Sequence, residues 1–176
     1  MNFDSDSDTD PDYSESLSEV VSKARIANKD VFAALKDAHR SRRQAIIDEI
    51  DEKKDEYNKS KSVWEEDDQG PMPSGGIKVV KDYLGLRLKL LELDAEALEI
   101  NSTIMKSTQA EEPVKYKEEL KEMCEEGAKA LRNEIGYWEE PGQHALVEEF
   151  VEKVDDVERA IKDKLSEDQS QAKGEA

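Results

Sequence analysis

Two histidines, one cysteine and 44 acidic residues are the side chains of this 176-residue chain that could carry out chemistry. His39 and His144 have no partner at the spacing of zinc ligands. Cys124 is followed by Glu125 and Glu126, whose negative charges oppose the thiolate that nucleophilic catalysis requires. The chain has neither a Gly-x-Ser-x-Gly sequence nor a phosphate-binding glycine loop. The sequence therefore predicts a protein that is not an enzyme, with no catalytic residue, metal or cofactor.

One polar row interrupts an otherwise apolar stretch of the chain. Arg87, Asp94 and Asn101 are seven residues apart, so in a helix they share one face. Because buried charges need partners, one interpretation is a hydrogen-bonded network to a neighbouring helix that fixes the register. In the other interpretation the row faces a gap and reaches water. The hypothesis of a helical enzyme that uses carboxylates rests on this row alone.

The elements that must position these residues are helices. Hydrophobic residues recur seven apart, as in Ile77, Leu84, Leu91, Leu98 and Met105. Such spacing brings side chains to one side only when the period is near 3.6. The apolar arc of this segment is wide, which predicts a central helix covered by neighbours on more than one side.

We expect an all-α protein, built as an antiparallel helical bundle or an elongated coiled-coil-like assembly of about four helices. A single helical domain over 16–166 would be flanked by an acidic tail at 1–15 and a second tail at 167–176, both disordered. Residues 28–30 are a candidate break in the first helix. The predicted helices are 16–66, 77–108, 111–140 and 143–166, with a linker of prolines and glycines at 67–76.

Net charge limits the partners of this chain. The charge is −18 overall, yet 17–66 carries eleven acids and eleven bases, whereas 109–166 has a net charge of −8. Negative surfaces repel phosphate backbones and anionic lipids, so we expect no direct nucleic-acid binding and no membrane binding. A basic protein partner is favoured. No apolar run is long enough to span a bilayer and no signal peptide is recognisable, so a cytoplasmic or nuclear location is expected.

A local exception to the acidity is the run from His39 to Arg43, with Lys36 one turn earlier. It could dock an acidic partner or the acidic tail of the chain itself, or act as a weak nuclear import signal. The alternative is a solvated face paired with acids of the same helix.

The acidic tail also carries hydroxyl groups that are each followed three residues later by an acid. This spacing resembles the sites of acidophilic casein-type kinases and predicts phosphorylation, with an unmodified solubilising tail as the alternative. The candidate phosphosites are Ser5, Ser7, Thr9 and Ser16.

The leading functional hypothesis is a non-enzymatic helical subunit or adaptor that binds another protein and could self-associate. The first helix, if unbroken, would be longer than its neighbour, and its uncovered apolar face would need a second copy, a partner helix or the later helices. The alternative is an acidic chaperone for basic proteins such as histones. The chain resembles helical adaptors, histone-binding proteins and viral phosphoproteins in composition only. The candidate partner surface comprises Leu17, Val20, Val21, Ala24, Val31, Leu35, Trp64 and Trp138.

Overall fold

The computed structural model of the chain describes residues 15–66, 72–139 and 143–175, and every regular element in these ranges is an α-helix. The described residues contain no strand, and none of their helices is long and apolar enough to cross a membrane. The predicted all-α class is therefore confirmed. The helices are α1 (Leu17–Ile26), α2 (Val31–Glu66), α3 (Ser74–Ser107), α4 (Glu111–Glu139) and α5 (His144–Glu175).

The count of about four helices is not confirmed, because the described residues form five helices: residues 27–30 divide the helix expected at 16–66 into α1 and α2. Asn28 has a positive φ of 58°, and the amide of Lys29 donates to the carbonyl of Ala24 at 2.8 Å. This is a Schellman motif, in which a left-handed residue ends a helix and turns the chain. Asparagine tolerates this conformation better than most residues, since its short side chain bonds locally.

Side-chain caps begin the two helices on either side of this turn. The hydroxyl of Ser16 accepts from the amide of Glu19 at 3.1 Å, and the carboxylate of Asp30 accepts from the amide of Ala33 at 3.1 Å. Each cap satisfies one of the backbone donors that a helix start leaves unpaired. The break lets α1 fold against both α2 and α3.

The helix α3 is central, because it contacts each of the other four helices that the described residues form. This confirms the prediction from its wide apolar arc. Burying one large apolar side chain of α3 contributes about 2 kcal/mol to the stability of the fold, before the conformational entropy lost on folding is subtracted. The buried apolar residues of α3 are Val80, Tyr83, Leu84, Leu88, Leu90, Leu91, Ala97, Leu98 and Ile104.

The direction of α2 relative to α3 follows from two contacts. His39 of α2 bonds Asp94 of α3, and further along α2 the ring of Tyr57 stacks on Tyr83, with 4.0 Å between ring centroids. The residue numbers increase along α2 in the direction in which they decrease along α3, so these two helices run antiparallel. At 36 and 34 residues they are about 54 and 51 Å long and match each other.

Two ion pairs place α5 alongside α3 in the same direction. Lys81 lies 3.7 Å from Glu149, and Lys106 lies 2.8 Å from Glu167. The helix α5 also contacts α4. These contacts leave a shallow groove between the later parts of α3 and α5.

Several helix bounds differ from those expected. The helix α3 begins at Ser74, within the linker predicted at 67–76, and α5 continues to Glu175 through the segment predicted as a tail. Glycine and polar composition suggested coil at both places, but a helix that is already nucleated by packing extends at little cost. The tail at 1–14, the linker residues 67–71 and residues 140–142 lie outside the described residues.

Candidate functional site

A buried polar cluster joins three helices at the middle of the molecule. Nε2 of His39 lies 2.8 Å from Oδ1 of Asp94, and Nδ1 of His39 lies 2.6 Å from the hydroxyl of Tyr116. The Nε–H of Arg43 donates to Oδ1 and Oδ2 of Asp94 at 3.1 and 3.3 Å. Helix α2 supplies the imidazole and the guanidinium, α3 the carboxylate and α4 the phenol. We name His39, Arg43, Asp94 and Tyr116 the polar cluster.

Solvent does not reach the centre of the polar cluster. His39 is 0% exposed, and Asp94 and Tyr116 are 1% exposed. Burial raises the pKa of Tyr116 to about 12, which keeps its hydroxyl protonated and able to act as a hydrogen-bond partner of His39. A carboxylate, an imidazole and a phenol resemble a proton-transfer set, but a substrate would have to displace core side chains to reach them. The arrangement can fix the positions of α2, α3 and α4 relative to one another.

Sequence reasoning placed Asp94 in a possible network but did not identify His39 as its partner. A signal was present: Phe32, His39 and Ile46 are seven apart, and all three are buried in α2. This spacing is sufficient to predict that His39 lies on the core-facing side of its helix. The adjacent arginines obscured this signal, because a histidine among arginines has the composition of an exposed basic run.

The other two members of the polar row have separate partners. Nδ2 of Asn101 donates to the carbonyl of Pro113 at 2.8 Å and so links α3 to the first turn of α4. Its Oδ1 is buried without a hydrogen-bond partner among the described residues. Arg87 donates through Nη2 to the hydroxyl of Tyr83 at 2.9 Å. The row is thus spread along α3 and contributes one residue, Asp94, to the polar cluster.

The basic run on α2 is largely engaged within the chain. The Nζ of Lys36 lies 5.5 Å from the ring centroid of Tyr116, and the guanidinium carbon of Arg40 lies 5.8 Å from the same centroid. Arg40 also lies 3.9 Å from a carboxylate oxygen of Glu119. These cations cover the ring of Tyr116, and Arg43 closes the polar cluster.

An aromatic cluster joins the far ends of α2 and α4. The indole N–H of Trp138 donates to the hydroxyl of Tyr57 at 3.0 Å, and this hydroxyl donates to Oε1 of Glu134 at 2.6 Å. Burial, followed by the bond to Glu134, raises the pKa of Tyr57 above its ordinary range. The relay satisfies every polar atom that these two rings bury.

Trp64 and Tyr137 complete the aromatic cluster. The ring centroid of Trp64 lies 5.1 Å from that of Trp138 and 6.4 Å from that of Tyr137. The hydroxyl of Tyr137 donates to the carboxylate of Glu65, and burial followed by this bond raises the pKa of Tyr137. The cation of Lys61 lies 4.2 Å from the ring centroid of Tyr137. Contacts within the chain therefore occupy most of these aromatic surfaces.

The residues proposed as a partner surface are mainly core residues. Val20 and Val31 are half-buried. The other six are buried, because the turn at 27–30 folds α1 back and because Trp64 and Trp138 pack on each other. This corrects the expectation of an overhanging first helix with an uncovered apolar face. The buried residues of the set are Leu17, Val21, Ala24, Leu35, Trp64 and Trp138.

The remaining candidates occupy ordinary structural positions. Cys124 is buried, and its burial, followed by the charge of Asp94, raises the pKa of its thiol to about 12. Ser16 caps α1 with its hydroxyl, whereas Ser5, Ser7 and Thr9 lie outside the described residues. Within 15–66, 72–139 and 143–175, no group of three or more His, Cys, Asp or Glu side chains could hold a metal ion.

Comparison with known proteins finds no match for the chain. No protein-family model matches the chain, and neither a curated protein nor a solved structure matches it.

Proposed function

We propose that this chain is a non-enzymatic helical subunit or adaptor that binds another protein through its acidic side. The observation that carries the proposal is the uneven distribution of exposed charge. In residues 15–66 and 72–107, thirteen exposed acids accompany eleven exposed bases, whereas in 111–139 and 143–167 fourteen exposed acids accompany six. The field of α4 and α5 is therefore negative, and it would steer a basic surface towards them.

The polar cluster supports a role in binding rather than in catalysis. Its members are the residues whose chemistry would suit proton transfer, and His39 and Asp94 are closed to solvent. We infer that they hold the helices in one arrangement, which would be an antiparallel bundle of α2 to α5 with α1 packed on its side. A rigid scaffold of this kind presents its outer faces in fixed geometry to a partner.

The proposal is tested by affinity purification of the full chain from an extract of its native source, followed by mass spectrometry. A charge-reversed variant of α4, E118K/E122K, should lose the enriched partner. The matched variant of α2, D51K/E52K, changes the charge by the same amount and should retain the partner, because α2 lies outside the acidic side. All four residues are exposed, so neither variant should disturb the core. If no protein is enriched over an unrelated acidic protein of similar size, the proposed function fails.

A second candidate function is that of an acidic chaperone for basic proteins such as histones. The excess of exposed carboxylates on α4 and α5 favours it, because such a surface shields basic segments from nonspecific contacts. Titration with a purified core histone mixture distinguishes the two. Binding that persists at about 0.15 M salt, where exposed charges are screened beyond about 8 Å, favours the chaperone. Absence of binding at low salt excludes it.

A further inference from the structure

An apolar groove with an acidic rim lies between α3 and α5. Its apolar floor includes Ala95 and Leu98 of α3 and Val157 and Ile161 of α5, and its volume is about 370 Å³. Leu98 is 1% exposed, while the other three are partly accessible from the groove. The ion pair between Lys106 and Glu167 lies at one end. We name this feature the α3–α5 groove.

The carboxylates at the rim of the α3–α5 groove have no cation of their own. Glu92 and Glu99 on α3 and Asp163 on α5 line the groove and are exposed. No described base lies within ion-pair distance of these three carboxylates. Among the described residues that line the groove, the one base is Lys164, and its Nζ lies 3.4 Å from Glu167. Both long sides of an apolar floor therefore carry unpaired negative charge.

A second groove shows that this combination is not general on the surface. The groove between α2 and α3 has a similar apolar floor, at Ala45, Ile46 and Leu93, but Arg42 and Lys89 line it together with acids, one of which, Glu92, borders both grooves. A ligand of one charge would meet both attraction and repulsion there. The α3–α5 groove presents one sign of unpaired charge, and this sign selects its ligand.

We propose that the α3–α5 groove docks a basic amphipathic helix of a partner protein, which names the partner chemistry of the function proposed above and rests on it. The apolar stripe of such a helix, with residues at i, i+3, i+4 and i+7, would contact the floor, while flanking Lys and Arg side chains would meet the rim carboxylates. From Val157 to Glu167 the groove wall is about 15 Å long, which is about three turns of a docked helix. A second copy of this chain is disfavoured as the occupant, because each copy carries a net charge of −18.

The test uses the full chain and a synthetic helical probe. The probe is a capped peptide of about fourteen residues with Leu at i, i+3, i+4 and i+7 and Lys or Arg at the other positions. The control peptide has the same composition, with its leucines distributed around the helix. At about 0.15 M salt, isothermal titration calorimetry should show the amphipathic peptide binding about tenfold more tightly than the control.

Matched variants locate the binding site. Ala160→Trp fills the groove and should weaken peptide binding about tenfold, whereas Ala145→Trp, on an exposed position near the start of α5, should leave it unchanged. The double variant E99Q/D163Q should weaken binding about fivefold. Helix content and thermal midpoint of each variant establish that it is folded.

Any one of four results would overturn the proposal. Equal affinity for the two peptides, or equal loss in Ala160→Trp and Ala145→Trp, would show that binding is electrostatic and not localised to the groove. Concentration-dependent dimerisation that only Ala160→Trp abolishes would make a second copy the occupant. A native partner that still binds Ala160→Trp but not E118K/E122K would refute the groove while leaving the proposed function intact.

Discussion

The imidazole of His39 on α2 lies 2.8 Å from the carboxylate of Asp94 on α3, and neither side chain is more than 1% exposed. A buried carboxylate is costly unless its charge is paired and its oxygens are bonded. Arg43, whose side chain is 25% exposed, supplies the paired charge from one turn further along α2. Only one register of α2 against α3 places both donors on Asp94, so the pair specifies how these helices align.

Replacing Asp94 by Asn should destabilise the protein by about 2 kcal/mol. The amide keeps the size of the side chain, but it leaves Arg43 without its counter-charge and places an NH₂ group where Oδ2 of Asp94 accepts from Arg43. Urea unfolding followed by circular dichroism measures the change. Asp51→Asn, on an exposed position of α2, should stay within about 0.5 kcal/mol of the parent. Equal stability of Asp94→Asn and the parent would contradict a structural role for the polar cluster.

The helical class, the central position of α3 and the polar row could be derived from the sequence, because side-chain period alone determines them. The partner of Asp94 could not be derived so directly. His39 occupies a core position by its spacing from Phe32 and Ile46, but its neighbours Arg40 and Arg42 lie on other sides of the same turn. Which side of a helix is buried depends on the helices that cover it.

The break at 27–30 was recognisable only as a candidate. Asn28 is compatible with both a helix interior and a left-handed cap, and the difference in local free energy is small. Burial of Leu17 and Val21 against α2 and α3 favours the turned form. Because that gain is tertiary, the sequence pattern suggested an exposed partner surface where the structure has core.

Tyr57→Phe and Tyr137→Phe form a matched pair of substitutions in the aromatic cluster. Tyr57→Phe leaves the indole N–H of Trp138, a residue 0% exposed, without an acceptor, and should cost about 2 kcal/mol in unfolding free energy. Tyr137→Phe removes a bond to the exposed Glu65 and should cost less than about 0.5 kcal/mol. Chemical denaturation of both variants gives the comparison, and similar costs would argue against the relay.

The turn between α1 and α2 predicts opposite effects for two substitutions at Asn28. Because the φ of Asn28 is 58°, Asn28→Gly should be neutral or stabilise the protein by about 0.3 kcal/mol. Asn28→Val should destabilise the protein by about 1–2 kcal/mol, since a β-branched residue is strained at a positive φ. Thermal unfolding measures both. Valine has a higher helix propensity than glycine. If Asn28→Val were more stable than Asn28→Gly, α1 and α2 would therefore be one continuous helix.

Alkaline pH should destabilise the protein through its one cysteine. The pKa of the Cys124 thiol is raised from 9.0 to about 12 by burial and by Asp94. Above about pH 9 the unfolded chain releases this proton and the folded chain keeps it, so the stabilising effect is complete below this pH and is lost as pH rises towards 12. The limiting slope is about 1.4 kcal/mol per pH unit. Burial also raises the pKa values of Tyr57, Tyr116 and Tyr137 from 10.0, which adds further losses of stability only above about pH 10.

The contribution of Cys124 is isolated by measuring urea unfolding between about pH 8 and pH 10 for the parent and for Cys124→Ala. The variant should start lower by about 1 kcal/mol, since alanine leaves a small cavity, but its stability should decline less with pH. The two curves should therefore converge as pH rises. Parallel curves would show that the thiol titrates alike in the folded and unfolded chain. Such a result would mean that Cys124 is open to solvent rather than packed between α4 and its neighbours.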